Sequence, residues 1–197
     1  KASVVGNAEI RAQGRSRRVT AYGQGPDFAR AFNMQVATGQ FLPDDDPRNP
    51  RAYVVLGAKV RAELFGDTNP LGALLQVGGS RFRVIGVMAS KGNVLGFDLD
   101  DTVFMPTARA LEVFNRQGVM EINFSYFPDV PVQAVVNDIQ RILVARHGRE
   151  DFTVGVLHAG QPDGRNRDGH GDVLADHFRF RRAVLHVDGD ALAKLDR

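Results

Sequence analysis

Residues Arg81 to Pro106 read Arg-Phe-Arg-Val-Ile-Gly-Val-Met-Ala-Ser-Lys-Gly-Asn-Val-Leu-Gly-Phe-Asp-Leu-Asp-Asp-Thr-Val-Phe-Met-Pro. Two runs in this stretch, Arg81–Met88 and Thr102–Met105, are rich in the residues that favour strands. An acidic loop punctuated by glycines connects them, and the stretch offers no convincing pair of a nucleophile with a general base. It therefore predicts a structural element and not a catalytic one.

Further short motifs precede this stretch on its N-terminal side. Ala52–Gly66 carries Val-Leu-Gly ahead of a predicted helix and Leu-Phe-Gly at its end, and Asn69–Gly72 reads Asn-Pro-Leu-Gly. Together with Phe-Arg-Val-Ile-Gly-Val, the Lys-Gly of the loop and Asp-Asp-Thr-Val-Phe-Met-Pro, they follow one order over half the chain, which is far more specific than a single motif. From about Val4 to Val154 the chain resembles the periplasmic core domain of MacB-type ABC transporter permeases, the FtsX-like group.

The resemblance implies an α+β fold made of two small subdomains, and an irregular C-terminal tail follows them. Residues 1–22 and 119–154 would form a discontinuous and incomplete porter-like subdomain with a β-α-β sheet. Residues 23–118 would form an inserted, sabre-like α+β subdomain. Residues 155–197 fall outside the resemblance and form an atypical tail, which we expect to be disordered or frameshifted.

The local patterns agree with this division. Val4–Ala12 and Arg17–Tyr22 read as a hairpin around Gly14-Arg15-Ser16. Leu74–Val77 and Phe82–Val87 read as a second hairpin, around Gly78-Gly79. The continuous apolar run Tyr53–Leu56 reads as a strand buried on both faces. Val132–Arg146 has the apolar spacing of an amphipathic helix. With Ile122–Tyr126 before it and Asp151–Val154 after it, a right-handed crossover predicts two parallel strands.

Composition excludes several classes of function. The 197 residues include 25 Lys and Arg against 23 Asp and Glu, so the net charge is only +2 and no nucleic-acid surface is indicated. Arg15, Arg17 and Arg18 cluster, but beside Gly14 they are typical of a solvated hairpin tip. There is no Cys, which excludes disulfides and thiolate metal sites.

Membrane attachment is expected to come from segments that flank this sequence. No stretch reaches the roughly 20 apolar residues that a membrane helix needs, and no signal peptide opens the chain. Because the resemblance implies a domain held between membrane helices, we expect this chain to be an excised or truncated piece whose flanking helices are missing.

The tail differs in composition from the rest. From Gly155 onward it holds four of the five histidines, His158, His170, His177 and His186, among scattered Arg, Asp and Gly with weak periodicity. This bias suggests a frameshifted or otherwise foreign segment. The tail also contains residue types that bind metals, namely His170, Asp172, Asp176 and His177. No predicted helix or strand holds these residues together, so a solvated tail is the preferred interpretation.

Four other sets of residues are candidate sites, and each is better explained structurally. Asp98, Asp100 and Asp101 offer carboxylates of the kind that calcium prefers, but the loop lacks the length and the distal Glu of a calcium loop; Asp44–Asp46 is a solvated charge run between prolines. Ser90 and Lys91 are adjacent in an extended loop and would point apart, which disfavours a Ser-Lys nucleophile. His147 lies at a helix C-terminus, where the dipole favours a cation. We therefore predict no catalytic residue, no metal ligand and no cofactor.

The loop Gly92–Leu99 is different in kind because it places apolar residues in a glycine-rich connection. Two interpretations stay open: the side chains plug the end of the sheet, or they form an exposed tip that contacts a partner protein or a substrate. The possible contact residues are Val94, Leu95, Phe97 and Leu99.

The resemblance implies a non-enzymatic domain on the periplasmic side of the bacterial inner membrane. It would transmit ATP-driven movement to substrate and periplasmic partners in export or efflux. ATP would be hydrolysed by a separate ABC ATPase module, because the chain has no Gly-rich phosphate loop followed by Lys and Ser or Thr. Expected partners are that module, a second permease copy and, for efflux members, a periplasmic adaptor and an outer-membrane channel. A stand-alone periplasmic ligand-binding module and a metal-dependent hydrolase are the alternatives.

Overall fold

The computed structural model describes residues 2–94, 97–119, 121–126, 129–147, 152–157 and 181–187. The chain divides into two compact units, Lys1–Val119 and Met120–Arg197. No helix among the described residues is both long enough and apolar enough to cross a membrane.

The first unit contains nine strands and three helices among its described residues. They are β1 (Ala2–Ala12), β2 (Arg15–Gln24), α1 (Phe28–Ala31), β3 (Val36–Gly39), β4 (Tyr53–Leu56), α2 (Ala58–Phe65), β5 (Leu74–Val77), β6 (Ser80–Met88), β7 (Asn93–Val94), β8 (Phe97–Asp98), β9 (Thr102–Pro106) and α3 (Thr107–Val113), with a single 3₁₀ turn at Leu99–Asp101.

Six of these strands close on themselves. The hydrogen-bonded order is β1-β2-β9-β4-β6-β5, and β5 returns to β1 through the pairs Ile10/Val77 and Arg11/Gln76. The β2/β9 and β4/β6 pairs are parallel and the other four are antiparallel. Strand β3 lies alongside the far end of β6, outside this ring. Closure leaves the ring without long open edges, which are the parts of a sheet most prone to pair with other chains.

Two tight turns set the register of the ring. Gln13 and Gly14 have φ values of 50° and 74° and connect β1 to β2, so the turn lies one residue earlier than predicted and Arg15 already belongs to β2. Gly78 and Gly79, at 55° and 89°, connect β5 to β6. Two consecutive residues with positive φ are the geometry of a two-residue hairpin whose twist matches that of the strands. Both predicted hairpins are confirmed.

Alternating residues of all six ring strands point inward and fill the interior. Fully buried members include Ile10, Val54, Leu56, Phe82 and Met105, and α2 and α3 close the packing through Val60, Leu64 and Ala110. A second cluster covers the outer face of the ring around Val55 and Phe104. Strand β4 is therefore buried on both faces, as its unbroken apolar run predicts.

The second unit pairs three strands with one long helix. They are β10 (Glu121–Tyr126), α4 (Val132–His147), β11 (Phe152–Leu157) and β12 (Arg181–Val187). The predicted helix is confirmed, with Ile139 and Leu143 buried one turn apart. Strand β12 lies between β10 and β11 and is antiparallel to both. The two strands flanking α4 therefore run parallel, as expected, but they are not neighbours.

The tail contributes regular structure that the sequence did not indicate. Strand β11 continues past Val154 to Leu157, and seven residues of the expected tail form β12. Ranges 158–180 and 188–197 lie outside the described residues, so their disorder and the frameshift remain predictions. The subdomain assignment, which joins residues 1–22 to 119–154, also stays a prediction.

Candidate functional site

The apolar loop predicted to contact partners leaves β6 and returns to β9. Its backbone pairs as a small ribbon, with Asn93 opposite Asp98 and Val94 opposite Phe97. Leu95 lies outside the described residues, as do the side chains of Val94 and Phe97. Leu99 is only 8% exposed and belongs to the outer cluster. The prediction that Leu99 contacts a partner is therefore corrected: Leu99 is a packing residue, because the 3₁₀ turn directs its side chain onto the ring.

Asp100 fastens the base of this loop. Its Oδ2 accepts a hydrogen bond from Ser90 Oγ at 2.5 Å, and its Oδ1 accepts one from the backbone N–H of Lys91 at 2.8 Å. Burial by itself would raise the pKa of Asp100, but these bonds and one from the Gly92 amide outweigh it and lower the pKa. The carboxylate therefore stays charged and joins both ends of the loop.

Lys91 extends the attachment to α1. Its Nζ donates to the backbone oxygens of Phe32 and Asn33, at 2.6 and 2.7 Å, just beyond the C-terminus of that helix. Burial lowers the pKa of Lys91. Because Ser90 Oγ and Lys91 Nζ bind different groups, the two residues do not form a nucleophile with its base. We call Ser90, Lys91 and Asp100 the loop clamp.

The other two aspartates of the loop neutralise cations. Arg17 Nη2 donates to both oxygens of Asp101, at 2.6 and 2.7 Å, and also pairs with Glu63 on α2. Lys59 lies 3.2 Å from Asp101 and 3.5 Å from Asp98, and its pKa is raised chiefly by the hydrogen bond to Asp101.

The Arg17 side chain is only 16% exposed, so the solvated hairpin tip expected there is wrong for this residue. Arg17 alternates along β2 with Val19 and Ala21, which face inward, and this alternation is the sequence signal that predicts a buried position for Arg17.

The carboxylates that suggested a metal site are each held by cations or amides. Within the described part of the chain, no group of three acidic or histidine side chains is placed to hold a metal.

The second acidic run closes a turn. Asp45 accepts from the backbone N–H of Arg51 at 2.7 Å and from its Nε at 3.1 Å, and the backbone bond is the main reason that the pKa of Asp45 is lowered. The Arg51 guanidinium also lies 5.0 Å from the centre of the Tyr53 ring. Asp46 accepts from the Arg48 amide. His147 ends α4 as predicted, whereas His170, Asp172, Asp176 and His177 lie outside the described residues.

A separate feature, missed by the sequence analysis, is a basic cleft at the hairpin tip. It has a volume of about 540 Å³ and lies between the β1–β2 turn and the beginning of β5. Arg11, Arg15 and Arg81 line it together with Leu74. The pairing of β1 with β5 brings these residues together, and sequence spacing alone did not indicate that pairing.

Comparison with known proteins places the chain in a family. Residues 1–142 match the sequence profile of the MacB-like periplasmic core domain. The chain is 33% identical over 147 residues to the macrolide export ATP-binding/permease protein MacB of Azoarcus sp. (strain BH72), a match covering 74% of this chain and 22% of that protein. It is 30% identical over 151 residues to the pyoverdine export ATP-binding/permease protein PvdT of Pseudomonas entomophila (strain L48), covering 75% and 23%. The chain thus spans about a fifth of the length of these relatives.

Solved structures share the fold. The periplasmic region of MacB from Actinobacillus actinomycetemcomitans matches with a TM-score of 0.61 at 21% identity, covering 76% of this chain and 67% of that one. The extracellular domain of the noncanonic ABC-type transporter YknZ from Gram-positive bacteria gives 0.58 at 21% identity, covering 76% and 75%. The α+β class predicted from the sequence is confirmed by these likenesses, and the profile match over residues 1–142 shows that the chain belongs to the MacB-like periplasmic core domain family.

Proposed function

We propose that this domain is the periplasm-facing part of an ABC exporter permease in the bacterial inner membrane, and that it transmits ATP-driven movement to substrate and periplasmic partners. The family match over residues 1–142 is the observation that carries the proposal. The names of the relatives, which join ATP binding to a permease for export, support it. ATP hydrolysis would take place in a separate module, and this domain would perform no chemistry.

The construction of the first unit supports a mechanical role. Force is transmitted well by a packed body whose parts cannot slide separately, and the ring interior is filled by side chains from all six strands. The loop clamp fixes the apolar loop to this body through Asp100, Ser90 and Lys91. Movement of the ring would therefore carry the loop with it.

The proposed partners follow from the same role. An ABC ATPase module would supply the movement, and a second permease copy would complete a homodimer. A periplasmic adaptor and an outer-membrane channel would receive the substrate in an efflux system. Val94, Leu95 and Phe97 remain the proposed contact residues of the apolar loop, and flanking membrane helices would connect the domain to the bilayer.

A chimeric transporter tests the proposal. Residues 1–142 would replace the matched region of the Azoarcus macrolide exporter, and ATP hydrolysis and macrolide export would be measured in the same membranes. We expect the chimera to export, and Asp100→Asn to reduce export while ATP hydrolysis continues, because the loop is no longer fastened to the ring. Asp44→Asn, an exposed change in another loop, is the matched control and should leave both activities unchanged.

Two results would contradict the proposal. If the folded chimera hydrolyses ATP but never exports, the domain does not transmit movement. If Asp100→Asn exports as well as the unchanged chimera, the loop clamp has no part in coupling. A folded chimera that binds macrolide without coupling to ATP hydrolysis would favour the stand-alone ligand-binding alternative.

A further inference from the structure

The basic cleft exists because two ring strands separate. Strands β1 and β5 are paired only at Ile10/Val77 and Arg11/Gln76, and beyond these pairs the hairpin tip turns away from the beginning of β5. At Leu74, β5 is paired with β6 on one side, while its other edge faces the cleft. An extended peptide is the ligand that uses such an edge, because its backbone can supply the missing hydrogen bonds.

The cleft has an unbalanced positive charge. Three arginines line it and none of its lining residues is acidic. The register places Arg11 and Arg81 on either side of Gln76 in one row across three strands, which sets their backbones about 10 Å apart. Both side chains lie on the exposed face of the ring. A ligand with two carboxylates at that spacing would satisfy both.

Most donors of these arginines are unused. Arg11 donates one bond to Glu9 at 2.9 Å, and Arg15 donates one to the backbone oxygen of Glu63 at 3.0 Å. Within the described part of the chain, the Arg81 side chain makes no hydrogen bond or ion pair. A guanidinium carries five N–H donors in a fork that fits a carboxylate. The free donors therefore face the solvent in the cleft and are available to an anion.

An exposed apolar side chain completes the surface. Leu74 is 56% exposed, the largest exposed fraction among the described large hydrophobic residues. Arginine is enriched in protein interfaces, whose central part is more apolar than the rest of the protein surface. An anionic membrane is a poorer match, because lipid binding uses four to eight clustered cations and Glu9 lies next to Arg11.

We propose that the basic cleft binds an extended acidic segment of a partner protein, with carboxylates on Arg11 and Arg81 and an apolar side chain on Leu74. This assignment goes beyond the role in export and does not depend on it, since it concerns binding by the isolated chain.

Binding of a designed peptide to the whole chain tests the assignment. The probe is fluorescein-labelled Leu-Glu-Leu-Glu-Leu-Glu with blocked ends, titrated at low salt and followed by fluorescence anisotropy. We expect saturable binding that weakens as salt rises, because exposed charges are screened. Arg81→Gln should lower the affinity about tenfold, the equivalent of one charge-assisted hydrogen-bond pair. Leu74→Ser should lower it about threefold or more.

Controls separate the cleft from general charge effects. Arg48→Gln removes an exposed arginine outside the cleft and should leave the affinity unchanged. A peptide with Gln in place of Glu should bind at least about tenfold more weakly. The proposal is overturned if Arg81→Gln and Arg48→Gln have equal effects, or if the Gln peptide binds equally well. It is also overturned if vesicles containing anionic phospholipid, or inorganic phosphate, bind the cleft and the peptide does not.

Discussion

Replacing Gly57 by alanine should destabilise the first unit through one defined steric clash. Gly57 precedes α2 with φ −67° and ψ 157°, a conformation that alanine adopts without strain. A Cβ atom built there would lie 2.4 Å from the backbone oxygen of Asp100 and 2.9 Å from that of Leu99. The Val-Leu-Gly motif of the sequence therefore has a physical reason: the helix start and the loop clamp approach too closely for a side chain.

The size of the effect follows from what must move. Ordinary contact of a Cβ atom begins near 3.4 Å, so the Asp100 carbonyl would have to retreat by about 1 Å. The obstacle is backbone and not the end of a flexible side chain, and the Gly57 amide is itself held by the Thr102 oxygen at 2.8 Å. Overpacking of this kind costs about 1–3 kcal/mol, which corresponds to a fall in Tm of about 2–12 °C for a chain of this size.

Gly25→Ala is the matched control for this measurement. A Cβ at Gly25 meets nothing within 4 Å, and its φ is not positive. Alanine there should leave Tm unchanged or raise it slightly, because it restricts the unfolded chain. Both variants would be followed by circular dichroism during heating and by urea titration. A Gly57→Ala protein with the same Tm and urea midpoint as Gly25→Ala would refute the reasoning.

Three further predictions use other parts of the first unit. Phe104→Ala should cost about 3–5 kcal/mol of unfolding free energy in urea titrations, because its fully buried ring lies 5.7–5.8 Å from those of Tyr22, Phe28 and Phe41; a cost below 1 kcal/mol would contradict this packing. The folded-state pKa of Asp100 is lowered, so its contribution is present above the unfolded pKa and is lost as pH falls through the folded value. Urea midpoints measured from pH 6 to pH 2 should therefore fall less steeply for Asp100→Asn than for the unchanged protein, and equal slopes would count against the clamp. Amide hydrogen exchange should be as slow at Ile10 and Arg11 of β1 as at Val55 and Leu56 of β4, because these residues are paired with a neighbouring strand on both sides within the closed ring; rapid exchange at Ile10 and Arg11 alone would show that the ring opens there.

Local chemistry explains which elements the sequence predicted. The apolar run of β4, the two glycines between β5 and β6 and the regular spacing of α4 each depend on neighbouring residues, and each is present in the structure. Turn geometry and helical periodicity are short-range properties that a single sequence displays directly. Long-range pairing is different, because any two strands of suitable pattern could be neighbours.

Three features depended on that long-range pairing and were not predicted. Ring closure requires β1 to meet β5, and neither strand carries a local sign of the other. Strand β12 pairs between β10 and β11, although it comes from a stretch of weak periodicity. Arg17 was assigned to solvent because it stands near a turn, although its inward position opposite Ile10 places it beside Asp101.

The charged groups that stand out in the sequence already have partners in the structure, whereas arginines with free donors line the basic cleft. The acidic residues Asp98, Asp100 and Asp101 are each held by amides or cations and fix the loop to the ring. A charge that already has partners gains little from a ligand, whereas an exposed guanidinium with free donors gains a full set of bonds. Because Arg81 is in that second position beside exposed Leu74, binding chemistry in the first unit is expected at the basic cleft, and the acidic loop is expected to position other groups.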